Sequence, residues 1–208
     1  MYKLVFKRIL DLVLASIAAV LLFPVFIIVY VILMFVNNGK PFFLQPRPGK
    51  NERVFKILKF KTMTDKTDDN GNLLPNELRM TRFGSFLRRS SLDEIPQLIN
   101  VLKGDMSLVG PRPLRVRYLP YYTKAESIRH TVKPGVTGLA QVSGRNSLSW
   151  DDKLAIDIKY VKSLSLVADV SILIKTVIKV FANNSSDIEL GSTTLNFDEY
   201  RIKYSKND

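Results

Sequence analysis

The chain has 208 residues and a net charge of +12, from 31 Lys and Arg against 19 Asp and Glu, with one His and no Cys. That length buries one sizeable core plus an accessory segment, and 46% hydrophobic residues exclude wide disorder. With no cysteine and only His130, disulfide frameworks, thiolate or multi-histidine metal centres and cysteine nucleophiles are excluded, so any catalysis rests on carboxylates, hydroxyls, cations or a bound ion.

Such a charge attracts nucleic acid, anionic lipid and phosphorylated substrates alike. The N-terminal segment chooses among them. From Ile9 to Val36, 28 residues are interrupted only by Asp11, Ser16 and Pro24, which suits a bilayer element and is of no use to a soluble nucleic-acid binder. A secretory signal fits poorly, because the apolar run continues for 17 residues past Ala19. A straight helix of this length would measure about 42 Å against a hydrocarbon core of roughly 30 Å. Pro24 removes one backbone hydrogen bond near the middle and is expected to kink it, leaving two arms too short to cross. Lys3, Lys7 and Arg8 precede the run, and Lys40, Arg47, Lys50 and Arg53 follow it, which marks both flanks as cytoplasmic. We therefore expect a re-entrant, proline-kinked helical hairpin over 1–38, with a tilted spanning helix as the alternative. Asp11, three and four residues from Arg8 and Lys7, is expected to pair with a cation at the interface.

Residues 39–182 read as a cytoplasmic catalytic domain and 183–208 as a polar C-terminal tail. Asn37 to Pro48, with Gly39 and three prolines, reads as a turn and extended stretch. Val54 to Met63 alternates as a short strand, with Lys59 and Lys61 on one face and Phe60 on the other. Asp65 to Glu77 is a polar loop around Asn70-Gly71. Its likeness to a calcium loop fails at the first ligand position, which holds Lys66, so an ordinary turn is expected. Thr81 to Arg89 and Leu92 to Lys103 read as helices, the second with an apolar stripe and Gly104 as its stop. Val109 to Pro113 and Pro134 to Arg145 read as loops rich in Gly and Pro, of the kind that positions ligands. Trp150 to Val161 and Leu166 to Phe181 read as two further helices. The stripe Leu166, Val170, Leu173, Val177, Val180 of the latter is either core or an interfacial membrane face, and Lys175 and Lys179 beside it fit the second. The expected class is mainly α with a small β element (α+β), in a monotopic membrane protein with interfacial amphipathic helices.

The sharpest constellation is Arg88-Arg89-Ser90-Ser91-Leu92-Asp93-Glu94, two cations and two hydroxyls running into two carboxylates. A structural account competes: Ser91-x-x-Glu94 is a capping box, and Asp93 would favour the helix dipole. Pro96, however, frees the Leu92 carbonyl, an irregularity that a cap does not require. Asp93 and Glu94 point about 100° apart on a helix and could serve one reaction in two roles, one of them as nucleophile. Arg88, Arg112, Lys59 and Arg145 are candidate phosphate clamps, with Pro111 and Pro113 stiffening the loop that holds Arg112. A carboxylate beside a diphosphate also calls for Mg²⁺, with Asp93 as the candidate ligand. His130 reads as a surface or structural residue.

Taken together, these segments resemble the bacterial sugar transferase family, the small monotopic phosphoglycosyl transferases acting on a polyprenol phosphate carrier. The resemblance runs over about residues 3–181. It is carried by Lys7-Arg8-x-x-Asp11, Pro24, Phe55-x-x-x-Lys59-Phe60, Thr81-Arg82-x-Gly84-x-x-Leu87-Arg88, Ser91-x-Asp93-Glu94-x-Pro96-Gln97 and Leu108-Val109-Gly110-Pro111-Arg112-Pro113. Lys133-Pro134-Gly135-x-Thr137-Gly138-x-Ala140-Gln141-Val142-x-Gly144-Arg145, Asp157-x-x-Tyr160-Val161 and Asp169 complete it. The resemblance implies a ping-pong reaction at the cytoplasmic face of the bacterial inner membrane. Asp93 attacks the β-phosphorus of a UDP-sugar and expels UMP, and polyprenol (undecaprenyl) phosphate then takes the sugar-phosphate from the aspartyl group. Glu94 assists the acceptor step or the metal, Mg²⁺ offsets diphosphate charge, and Arg88, Arg112 and Lys59 hold phosphates. Gln141 and Arg145 are carried over as substrate-binding positions, and Lys7, Arg8, Asp11 and Pro24 as membrane positions. The product would start glycoconjugate assembly and pass to downstream glycosyltransferases. Two positions depart from the family pattern: Phe23 stands where a serine often precedes the hairpin proline, and Lys61 where an arginine is common. A rival reading is a non-catalytic membrane module binding anionic lipid or nucleic acid by charge alone, for which the acidic pair would be superfluous.

Overall fold

The computed structural model describes residues 2–144, 148–182 and 195–204. Its longest element is helix α1, Lys7–Val36. By length and composition it could cross a membrane, and most of its apolar surface is left uncovered by protein. The expected two arms are not separated: one helix runs through Pro24. Its buried residues Lys7, Asp11, Ala15, Val29 and Leu33 recur at helical spacing, so a single stripe lies along the folded domain. Ala15 packs with Ile57, Leu98, Val101 and Met106, while Val29 and Leu33 pack with Phe60 and Leu87.

Next comes the antiparallel hairpin of β1, Phe42–Pro48, and β2, Val54–Phe60, in which Phe42 faces Phe60 and Arg47 faces Phe55. Alternation puts Arg47, Ile57 and Lys59 on one face of this ribbon. In the loop after β2, Asp68 accepts from the backbone N–H groups of Asn70 and Asn72, so its carboxylate closes a turn, as expected. Helix α2, Asn76–Arg79, leads into α3, Arg82–Arg89, which Thr81 caps through Gly84 N.

The expected helix over 92–103 is divided. Ser91 is left-handed (φ 57°) and makes no side-chain cap, so the capping box does not form. Leu92–Glu94 is a 3₁₀ turn, and α4 spans only Gln97–Lys103. The cause is Pro96, which cannot donate to the Leu92 carbonyl; Ile95 N donates there instead at 3.2 Å, tightening the backbone. Asn100 then ties α4 to β2, accepting from Leu58 N at 2.9 Å and donating to Lys56 O at 2.9 Å.

The Gly-rich stretches also differ from expectation. Ser107–Val109 is a strand, β3, paired in parallel with β4, Gly135–Thr137, and Leu139–Ser143 forms a short helix, α5. Gly110 and Gly135 permit the pairing: a Cβ on Gly135 would stand 2.1 Å from Gly110 N and 2.3 Å from Thr137 O. Gly135→Ala is therefore expected to destabilise the protein by about 3 kcal/mol or more, read as a fall in thermal midpoint, because backbone and not a pliable side chain has to give way.

Helices α6, Trp150–Lys162, and α7, Leu166–Phe181, end close to their expected limits. Asp169, Ile172 and Leu173 of α7 face inward, whereas Leu166, Val170, Val177 and Val180 are exposed. Of the two readings for the apolar stripe of α7, the structure leaves the outward one. Helix α8, Phe197–Tyr204, has no counterpart in the sequence reading; its Phe197 is fully buried against Tyr118 and Leu154.

The N-terminal polar residues correct an expectation. Asp11 does not pair with Lys7 or Arg8. It accepts from Ser107 Oγ at 3.0 Å and Leu108 N at 2.9 Å. Lys7 donates to Asp169 at 2.5 Å, where Tyr2 and Tyr160 also donate. Arg8 donates to the Val101 and Leu102 carbonyls in the last turn of α4. The exposed carbonyls of a helix C-terminus are a better partner for a guanidinium than a neighbouring carboxylate already satisfied by backbone.

Candidate active site

Asp93 and Glu94 sit on the short turn between α3 and α4, and each neighbouring element brings one cation. Lys59, near the end of β2, donates to Glu94 Oε1 at 2.5 Å, and Arg112, from the loop after β3, reaches the same oxygen at 3.2 Å. Asp93 is 8% exposed and makes no ion pair within 4 Å among the described residues. Arg88, in the last turn of α3, donates through Nε to Thr62 Oγ1 at 3.0 Å and bears on Asp93 electrostatically. The fold thus gathers Asp93, Glu94, Lys59, Arg88 and Arg112 from four segments.

Their environments divide the two carboxylates. Burial first, and the charge of Glu94 second, push Asp93 above the usual carboxylate range against the pull of Lys59, Arg88 and Arg112. Glu94 would also be raised by burial, but Arg112 and Lys59 hold it well below that range. One carboxylate is therefore held charged and anchored, and the other is largely desolvated and poised; a carboxylate mostly shielded from water and without an ion pair is the stronger nucleophile of the two.

Arg112 is set by its loop. Pro111 and Pro113 have no N–H, so the segment is fixed through its carbonyls. Pro111 O accepts from Gly135 N at 3.0 Å and Arg112 O from Arg129 Nη2 at 2.7 Å, while Val109 O lies 3.1 Å from the Tyr160 hydroxyl, whose proton goes to Asp169. Arg129 is itself buried, with Nε and Nη2 on Asp157 at 3.1 and 2.8 Å and Nη1 on the Tyr122 hydroxyl at 3.0 Å. His130 is a structural residue: it is buried edge-on to Tyr122, and burial followed by Arg129 lowers it to about 4.

A pocket of about 280 Å³ opens beside Glu94, Lys59 and Arg112. Its far side carries residues that the sequence reading gave no part in the site: Arg47, Arg115 and Lys153 with Tyr118 and Trp150. Leu195 and Asn196 close one wall, where Leu195 O accepts from Trp150 Nε1 at 3.0 Å. A signal for Arg47 was present, since Pro46-Arg47-Pro48 repeats the triplet Pro111-Arg112-Pro113. None existed for the wall at 195–196. Gln141 does not line the pocket; it lies on α5 with Nε2 3.4 Å from Val136 O. Arg145 lies outside the described residues.

A family model described as bacterial sugar transferase matches residues 2–183. The chain is 48% identical over 181 residues to an uncharacterized sugar transferase, EpsL, of Bacillus subtilis, covering 86% of this chain and 89% of that protein. It is 38% identical over 197 residues to the exopolysaccharide production protein ExoY of Rhizobium meliloti, covering 86% and 87%. It is 35% identical over 194 residues to a UDP-glucose:undecaprenyl-phosphate glucose-1-phosphate transferase of Klebsiella pneumoniae, covering 88% of this chain and 42% of that longer protein.

Proposed function

Since the chain belongs to the bacterial sugar transferase family, we propose that it moves a sugar-1-phosphate from a UDP-sugar to polyprenol phosphate at a membrane surface, releasing UMP. The observation that carries this reading is the buried, raised Asp93 beside a Glu94 neutralised by Lys59 and Arg112. An Asp93 oxygen attacks the β-phosphorus, the bond to the bridging oxygen breaks, and UMP leaves with that electron pair. The sugar-phosphate is then held on the aspartyl group until an oxygen of polyprenol phosphate attacks the same phosphorus and returns the carboxylate. Lys59 and Arg112 stand where charge gathers on the transferring group. Relatives named for UDP-sugars and undecaprenyl phosphate support the same substrates.

Mg²⁺ fits this donor set. Among the described residues no three His, Cys, Asp or Glu side chains cluster to cage a metal, and an ion that takes one or two carboxylates plus phosphate oxygens does not require such a cage. Asp93 would hold it together with the diphosphate, whose charge it would offset. The two phosphates approach from different sides in this reading. The pocket beside Glu94 admits the donor, and Arg88, which does not line that pocket, is left to the lipid-borne acceptor.

The re-entrant seating of α1 is part of the proposal, at the cytoplasmic face of the inner membrane. Support comes from both ends of the helix: Lys7 donates to Asp169, and Asn37 Nδ2 donates to Lys61 O at 2.7 Å. A helix fastened to one domain at both ends does not carry one of them across a bilayer. Cysteines placed near residues 2 and 40 are expected to be labelled from the cytoplasmic side only; periplasmic labelling of either would restore the spanning helix. The reaction itself is tested by UMP release from a panel of UDP-sugars with Mg²⁺ and polyprenol phosphate, using the nanodisc-held protein. Release from one donor identifies the sugar. Release from none, with intact fold, favours the charge-binding module.

A further inference from the structure

The charges lining the pocket do not balance. Lys59 and Arg112 share the single carboxylate of Glu94. Among the described residues, Arg47, Arg115 and Lys153 of the same pocket have no carboxylate within 4 Å, although Arg115 feels the charge of Glu199 at longer range. Arg47 is the least satisfied. Its Nη2 donates to Gln45 Oε1 at 2.5 Å, but its Nε is buried without a hydrogen-bond partner. A partly buried cation without a counter-charge is costly, and Arg47 lines the pocket, where an anion can meet its terminal guanidinium nitrogens.

We propose that Arg47 and Arg115, with Lys153, form an anion subsite for the phosphate of a nucleoside monophosphate: the α-phosphate of the bound donor and then of the departing UMP. This assignment rests on the transferase reading above. It separates two tasks. Lys59 and Arg112, tied to Glu94, act at the transferring β-phosphorus, and the unpaired arginines hold the leaving group. Burial first, then the neighbouring charges of Arg112 and Arg115, lower Arg47 to about 10, so an incoming phosphate relieves a crowding of like charge. Both Arg47 and Arg112 are flanked by prolines on either side, which fixes the backbone behind each guanidinium.

Both ends of the hairpin lie along α1, Phe42 with Val29 and Leu33 and Phe55, opposite Arg47, with Ala15, so it is the make-up of the pocket, three cations beside an aromatic ring, that suits a nucleotide. Half-buried Trp150 stands beside the cations, and an aromatic face suits a planar base.

The test compares ligands that differ by one phosphate. Binding of UMP and of uridine to the nanodisc-held protein is measured for the wild type, Arg47→Gln and Arg115→Gln. Arg47→Gln is expected to weaken UMP about tenfold and Arg115→Gln about threefold, with uridine unchanged and the affinity for a short polyprenyl phosphate unchanged. In turnover, the donor KM rises in parallel while the acceptor KM holds. Equal losses for UMP and uridine, a loss confined to polyprenyl phosphate, or wild-type UMP affinity in both variants would each overturn the subsite. The last result alongside Asp93-dependent transfer would leave the transferase reading standing. Absent transfer by the wild type would remove both. Arg115 is exposed, so its variant reports even if Arg47→Gln does not fold.

Discussion

Asp93→Asn is expected to cut UMP release by about a thousand-fold or more while leaving the fold intact. The substitution keeps the shape of the side chain and removes the electron pair that attacks phosphorus, and loss of a covalent nucleophile has effects of this order. Its effect on stability has the opposite sign. Burial and Glu94 hold Asp93 above its unfolded value, so its ionised form opposes folding. A carboxyl raised on folding contributes stability that is present at acid pH and lost as pH rises toward the folded value. At neutral pH the neutral Asn therefore raises the thermal midpoint, or at least leaves it unchanged. The same shift places an acid limb on the reaction: with less Asp93 ionised, UMP release declines as pH falls through a range above the ordinary carboxylate value of about 4. Activity and melting temperature of one variant, measured against pH, check all three. Wild-type activity in Asp93→Asn would end the covalent mechanism, and a midpoint lowered by several degrees would mean that the carboxylate is a structural partner instead.

Much of this site was legible because its chemistry is written in local runs. Asp93, Glu94, Arg88 and Arg112 each stand in a short run that competed with a structural account, a capping box or a surface cation, and the limits of α6 and α7 followed from apolar periodicity. What failed depended on partners distant in the chain. Asp11 has two cations one turn away, yet it is satisfied by Ser107 and Leu108, which no helical spacing reveals. The capping box at Ser91 is a valid local pattern that Pro96 overrides by changing which carbonyl each N–H can reach. The stretch from 134 to 143 looked like a loop because glycine suggests one; here Gly135 serves a close approach of two backbones. Arg129 went unread altogether. It stands in no motif, and its importance lies in three partners that the fold alone assembles.

Breaking the Arg129–Asp157 pair is expected to produce the second large effect, and two variants separate its causes. Both side chains are almost fully buried. Asp157→Ala strands a guanidinium without its counter-charge, a change that costs about 3–5 kcal/mol and lowers the thermal midpoint by roughly ten degrees in a domain of this size. Transfer falls as well, because Arg129 also holds the Arg112 carbonyl at 2.7 Å. Replacing both partners with apolar residues of similar volume, Arg129→Met with Asp157→Leu, removes the stranded charge. A buried pair replaced in this way is often neutral or stabilising, so the double variant is expected to recover most of the lost stability. It does not restore the donor to Arg112 O, and nothing else among the described residues bonds that carbonyl. The loop from Pro111 to Pro113 then loses one of its two fixed carbonyls, and Arg112 its placement on Glu94. The double variant should melt near the wild type yet release UMP about tenfold more slowly, an order of loss in keeping with a misplaced charge clamp. Combined with Arg112→Ala it should cost nothing further, since the two changes remove one function. Full activity in the stable double variant, or losses that multiply with those of Arg112→Ala, would show that Arg129 braces the fold without placing Arg112.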